Sequence, residues 1–367
     1  MRLSLLFPWL ALTAVLAGCA SVPAPTAADP LAAWPPLPAA PAPGASPQAR
    51  QFAARLGHGV NFGNMLDAPS EGAWSLKVED RYIDMTGPQG LGFIDHVRLP
   101  VRWSNHASPG ADARIDPVFM ARVDDVVRRL LARGVPVVLD MHHYHQLDGD
   151  GLDEGEAPVD PAVVEPRFFA MWQQIAEHFA DAPPHLAFEV YNEPHGRLAP
   201  HWNGIMSRAV RLIRRSNPAR VIVVGPTQWN SARGLPDFVM PPDPHLVLTV
   251  HHYDPYDFTH QGAPWVTPAK PVGIPCCDAQ QRRDITGPLD LAQREGTRLG
   301  YPVYMGEFGA FDAVAPADRE RYTRLMRDEM ARRGIVWAYW ELAGGFGFFD
   351  PATGRLRAGL RDALFGP

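Results

Sequence analysis

Residues 186–196 read Leu186-Ala187-Phe188-Glu189-Val190-Tyr191-Asn192-Glu193-Pro194-His195-Gly196. A short, mostly apolar run ends on an amide, a carboxylate and a proline. A strand covered on both faces presents polar side chains at its C-terminal end in this way. Seven further runs bounded by Gly, Pro and polar clusters lie at 59–62, 96–99, 135–141, 221–224, 246–251, 303–306 and 336–340. Helical periodicity fills several gaps. Phe119, Val123, Val126, Val127, Leu130 and Leu131 fall at helical spacing, stopped by Gly134 and Pro136; 168–179, 202–215 and 319–333 read alike. Strand alternating with helix eight times predicts an α/β fold, the (β/α)8 TIM barrel. An open doubly wound sheet shares the alternation, but no glycine-rich phosphate loop follows the first strand to support a nucleotide-binding version.

Barrel enzymes build their sites at the C-terminal strand ends, and the polar residues gather there. The first strand ends on Asn61-Phe62-Gly63-Asn64, the second carries Arg98, and the third ends on His142-His143-Tyr144. The fourth ends on Asn192-Glu193-Pro194, the sixth on His251-His252-Tyr253, the seventh on Glu307 and the eighth on Trp340-Glu341. Unpaired buried polar groups are costly, so this many at equivalent positions point to a site. Glu193 and Glu307 close strands four and seven, which face each other across the mouth. Two such carboxylates suit hydrolysis of a glycosidic bond, with retention at about 5–5.5 Å separation and with inversion at about 6.5–9.5 Å. Sequence spacing leaves that distance open.

The blocks Gly59-Val60-Asn61-Phe62-Gly63-Asn64, Val97-Arg98-Leu99-Pro100-Val101, Leu139-Asp140-Met141-His142-His143-Tyr144, Tyr191-Asn192-Glu193-Pro194-His195-Gly196, His251-His252-Tyr253-Asp254-Pro255, Phe258-Thr259-His260-Gln261-Gly262-Ala263 and Met305-Gly306-Glu307-Phe308-Gly309 resemble glycoside hydrolase family 5, in that family's order. The resemblance runs from about residue 57 to the C-terminus and points to the β-1,4-glucanase branch. It implies a retaining endo-β-1,4-glucanase, with β-mannan or mixed specificity as the alternative. A degenerate barrel that only binds glycans at a surface is the rival from another class. It would be expected to lack one of the two carboxylates.

Residue by residue, the resemblance implies Glu193 as acid/base and Glu307 as nucleophile. Arg98 would favour the ionised form of Glu307, and Tyr253 would donate to the same carboxylate. Asn192 would hold the sugar 2-hydroxyl. His142 and His251 would orient the site and tune Glu193, and Trp340 would stack under the sugar beside the scissile bond. Asn61, Asp67, His143, His260 and Trp265 are implied substrate contacts. Relatives often carry glutamate at Asp67, so its contact is shortened or lost. A protonated Glu193 and an ionised Glu307 imply a bell-shaped, acidic-to-neutral pH optimum.

The ends of the chain suggest export. Residues 1–18 carry Arg2, an apolar stretch and the ending Leu16-Ala17-Gly18-Cys19, a layout that resembles a bacterial lipoprotein signal. Cleavage would leave Cys19 as the acylated N-terminus, anchoring the protein to the cell envelope by lipid alone. Residues 19–50, dominated by Ala and Pro, read as a semi-rigid tether spanning up to roughly 90 Å at ~3.1 Å per residue. Residues 51–367 are left as the catalytic barrel, expected to be monomeric.

Other functions find little support. The formal charge is −6 and no basic stretch is present, which argues against nucleic acid. No metal or cofactor is expected. Barrel metallohydrolases place His-x-His pairs on strand one, whereas His142, His143 and His145 follow strand three. The loop Asp148-Gly149-Asp150-Gly151-Leu152-Asp153 departs from a calcium-loop pattern at Leu152 and Asp153. Cys276 and Cys277 are adjacent and read as structural thiols or a quiet vicinal bridge. Trp74, Trp103 and Trp229 read as core or interface residues, leaving Trp265 and Trp340 as the expected sugar platforms.

Overall fold

The structure, a computed structural model, describes residues 41–153 and 155–366. The signal-like segment, Cys19 and most of the Ala/Pro segment lie outside the described residues.

Eight parallel strands close into a barrel: β1 His58–Asn61, β2 His96–Val101, β3 Val137–Met141, β4 Leu186–Glu189, β5 Ile222–Val224, β6 Leu246–His251, β7 Val303–Glu307 and β8 Val336–Tyr339. Each pairs with its sequence neighbours, and β1 closes on β8 through His58, Gly59 and Val60 against Trp337, Ala338 and Tyr339. Almost every strand residue is buried, because the barrel interior fills one face and helices cover the other.

The four helices expected from periodicity form at Pro117–Ala132, Val164–His178, Trp202–Arg214 and Pro316–Arg332. A fifth, Ala279–Leu299, carries no apolar stripe long enough to read. It buries only Ile285, Leu289, Ala292 and Gly296, contains Pro288, and starts at a capping box between Asp278 and Gln281. Just before it, Cys276 and Cys277 are disulfide-bonded to each other.

The expected boundary at residue 50 needs correction. Helix α1, Pro47–Leu56, begins inside the segment read as tether, with the Ser46 side chain capping Ala49 N and Pro47 in the first turn. Its Ala49, Phe52, Ala53 and Leu56 pack against Val138, Ala187, Val223, Val247, Tyr304 and Ala338 at the N-terminal ends of the strands. Ser46 N donates to Pro244 O and Ala45 N to Gly300 O. The helix is the floor of the barrel.

Candidate active site

Arg98, on β2 and wholly buried, organises the opposite face. Its Nε and Nη2 reach both oxygens of Glu189 at 2.8 and 2.9 Å. Nη1 donates to Asn61 Oδ1 at 3.0 Å and Glu307 Oε1 at 2.6 Å, and Nη2 donates to Asn192 Oδ1 at 2.9 Å. Asp140 Oδ2 lies 3.1 Å from Nη2. One guanidinium thus serves three carboxyl groups. Burial lifts Asp140 to about 7 despite Arg98, and its Oδ2 is 2.6 Å from His142 Nδ1. Sequence reasoning missed Glu189 and Asp140. Their signal was an acid inside an apolar run, since a buried charge requires a partner.

Glu307 closes β7. Besides Arg98, it accepts from Tyr253 Oη at 2.9 Å through Oε2. A register irregularity between Val250 and His251 sets His251 opposite Glu307. His251 Nδ1 then lies 2.8 Å from Glu193 Oε1 and 3.7 Å from Glu307 Oε2. Gly306 is required beside it, because a Cβ there would come 2.6 Å from His251 Nε2.

Glu193 follows β4 with φ 52°, a left-handed conformation that non-glycine residues hold only when the surroundings enforce it. An oxygen of Glu193, His251 nitrogen and an oxygen of Glu307 all lie within 4.8 Å of one another. Oxygens this close allow one carboxylate to attack while the other serves as acid, as in a retaining pair. Burial at the cleft floor raises Glu193 to about 7, with Arg98 and His195 opposing. Burial also raises Glu307 above its ordinary value, opposed by His251, by Arg98 and by the Tyr253 hydrogen bond. Glu307 alone has direct Arg98 and Tyr253 donors, so Glu193 is the carboxyl that keeps the shared proton.

Trp340 lies parallel to His142, with centroids 5.4 Å apart at 4°. Gly63 lies against its ring, where a Cβ would come within 2.7 Å. His143, partly exposed, meets Trp74 edge-on at 6.0 Å. Trp265 is 58% exposed beside Phe311 and Phe346. His260 is nearly buried, stacked on Tyr256 and edge-on to Tyr253 at 5.1 Å.

Two implied substrate contacts are placed elsewhere. Asn61 is fully buried, with Oδ1 taken by Arg98 and Nδ2 donating to Gly306 O and Tyr339 O; it ties β1 to β7 and β8. Asp67 is also fully buried, and its oxygens accept from Asn64 N and Met65 N, shaping the loop. Trp229, set aside from sequence, is 57% exposed and stacks on His195 at 4.7 Å, next to Glu193.

Three side-chain groups among the described residues are compact enough to hold a cation: Asp67, His142 and His143; Asp148, Asp150 and His195; and Glu193, His251 and Glu307. Several of these atoms already have protein partners. Asp67 takes two backbone N–H groups, His142 faces Asp140, and Asp148 accepts from Tyr191.

A closed (β/α)8 barrel with paired carboxylates just after β4 and at the end of β7 is a glycosidase architecture. Residues 90–345 match the family Cellulase (glycosyl hydrolase family 5), and the chain belongs to that family. It is 32% identical over 314 residues to Endoglucanase H of Acetivibrio thermocellus and 30% identical over 314 residues to Cellulase/esterase CelE of the same organism. The matches take in 84% and 80% of this chain but only 32% and 36% of those relatives, so the chain spans about a third of their length. The solved structure of a hyperthermophilic endo-beta-1,4-glucanase in complex with substrate matches with TM-score 0.81 at 31% identity, over 87% of this chain and 99% of that one. Thermotoga maritima Cel5A in complex with mannotriose matches with TM-score 0.80 at 33% identity, over 87% and 100%.

Proposed function

We propose that this chain is a retaining endo-β-1,4-glucanase in which Glu307 is the nucleophile and Glu193 the acid/base. The observation that carries the assignment is the asymmetry between two carboxylates within 4.8 Å, one held by Arg98 and Tyr253 and the other lifted to about 7 by burial. Glu307 attacks the anomeric carbon while Glu193 gives its proton to the leaving oxygen. The ionised Glu193 then takes a proton from water, which releases the sugar from Glu307. Asn192, its Oδ1 held by Arg98, offers its NH2 group to the sugar 2-hydroxyl. Trp340 supports the sugar at the cleaved bond and Trp229 the leaving sugar, since pyranose rings present an apolar face to aromatic ones.

Reducing-end release from mixed-linkage β-glucan and from β-1,4-mannan tests this, with Glu307→Gln alongside. Glucan cleavage with retained configuration, abolished in the variant, is expected. Mannan is the second polymer because a 33%-identical structure holds mannotriose. Binding without release would return the chain to a glycan-binding role.

Export as a lipoprotein rests on Leu16-Ala17-Gly18-Cys19. Cells given labelled palmitate should mark the full chain and not a Cys19→Ala variant. Labelling of both would remove the anchor, and a dimer in sedimentation would remove the expected monomer.

A further inference from the structure

His195 stands two residues beyond Glu193 and has no part in the chemistry above, yet both its ring nitrogens are held. Nδ1 is 2.6 Å from the backbone oxygen of Glu193, and Nε2 is 2.8 Å from Asp150 Oδ2. Its backbone N–H donates to Asp148 Oδ1 at 3.4 Å. Asp148 is itself buried and accepts from Tyr191. Burial pulls the ring's proton affinity down, but Asp148, the Glu193 carbonyl and Asp150 together leave it above the ordinary value. Both partners of the ring are acceptors, so both nitrogens donate, and the ring cannot turn without losing one.

The Trp229 indole lies on this fixed ring, with centroids 4.7 Å apart and planes 20° from parallel. Trp229 projects from a turn in which Gln228, Trp229 and Asn230 all have positive φ, at 60°, 56° and 54°. L side chains rarely adopt that conformation even singly. A strained turn that displays a mostly exposed tryptophan beside the acid is one whose display matters.

We infer that His195 is a positioning residue for the sugar on the leaving side of the scissile bond: bound to Asp150 and to the Glu193 carbonyl, it fixes Trp229 as the platform for a β-linked glucosyl unit. This rests on the glucanase reading with Glu193 as the acid. The arrangement ties two requirements together, because the ring that seats the leaving sugar also bonds to the backbone of the residue that protonates its oxygen. A misplaced platform loses sugar binding first and chemistry second.

The test compares cellotetraose, whose leaving group is a sugar, with 2,4-dinitrophenyl cellobioside, whose leaving group needs neither platform nor proton. Wild type, His195→Ala, Trp229→Ala, the double variant and His195→Phe are measured for kcat and KM. Each single alanine variant should raise KM for cellotetraose about tenfold and shift the ratio of kcat/KM between the two substrates by a similar factor. The double variant should be no worse than either, as expected of residues that act as one unit. His195→Phe, which keeps a stacking face but neither hydrogen bond, should remain at least about threefold worse in KM than wild type. Equal losses on both substrates in His195→Ala, losses that multiply in the double variant, or full recovery by phenylalanine would each overturn the inference. Silence of the wild type on both substrates would overturn the glucanase reading, and the inference with it.

Discussion

Arg98 Nη1 lies 2.6 Å from Glu307 Oε1, and the guanidinium making this contact is wholly out of solvent. Its other donors reach Glu189, Asn61 and Asn192. A lysine keeps the charge but cannot spread it over that fork. Arg98→Lys should lower kcat by about 100-fold or more with a smaller effect on KM. Arg98→Met, which strands Glu189 and Asp140 in the barrel, should cost about 3–5 kcal/mol of stability. Steady-state kinetics and calorimetry check the pair; unchanged kcat in the lysine variant would remove Arg98 from the mechanism.

The same groups set the pH dependence. Activity requires protonated Glu193 and therefore falls as pH rises through about 7. It also requires ionised Glu307 and falls as pH drops through a value above the ordinary glutamate range, because burial raises that group. The kcat/KM profile on cellotetraose should be a bell with both limbs present, whereas on 2,4-dinitrophenyl cellobioside, whose leaving group needs no proton, wild type and Glu193→Gln alike should keep the acid limb and lack the alkaline one. A full bell on the activated substrate would reassign the acid.

Gly63 and Trp340 give a steric test. A Cβ at residue 63 comes within 2.7 Å of the indole, so Gly63→Ala must push the platform aside. A displacement of about 1 Å near the reacting sugar can cost as much as 100-fold. Gly63→Ala should lower kcat/KM for glucan about tenfold or more while the melting temperature moves by only a few degrees. Full activity would show that the ring has room to yield.

Glu341 tests stability. It is fully buried, accepts from Asn64 Nδ2 at 2.5 Å, and burial lifts its proton affinity to about 8. Between about pH 5 and 8 the folded chain holds this proton and the unfolded chain releases it, so the group's contribution weakens as pH rises. Glu341→Gln removes that dependence. Its melting temperature relative to wild type should climb by a few degrees from pH 5 to pH 8, and a constant difference would show that Glu341 titrates alike in both states.

Most of the barrel could be read because each strand is a buried apolar run with turn residues beside it, and the catalytic constellation because it crowds the strand ends. What escaped did so for physical reasons. Glu189 and Asp140 work inside strands, where their pairing with Arg98 appears only in three dimensions. Asn61 and Asp67 look like ligands in one dimension but spend their polar atoms on the backbone and on Arg98. Ala279–Leu299 is helical through capping and length, with too few buried residues to show a period. Helix α1 hid in an Ala/Pro-rich segment whose Ser46-Pro47 start is a capping signal.

That helix yields a fifth expectation. A chain beginning at residue 51 loses the Ser46 cap and the first turn of α1. It should melt several degrees below one beginning at residue 41, with Phe52→Ala costing about 3 kcal/mol or more in the longer chain. Equal melting temperatures would mean that the floor contributes little.

Because α1 enters at the barrel floor, the polypeptide arrives on the side opposite the cleft. A surface held close to residue 41 therefore lies behind the enzyme. The catalytic mouth then faces outward, and a long polymer can be threaded across it sideways without passing between protein and support. Immobilisation close to residue 41 should accordingly preserve polymer access, whereas attachment at the Trp229 or Trp265 loops would press the mouth against the support.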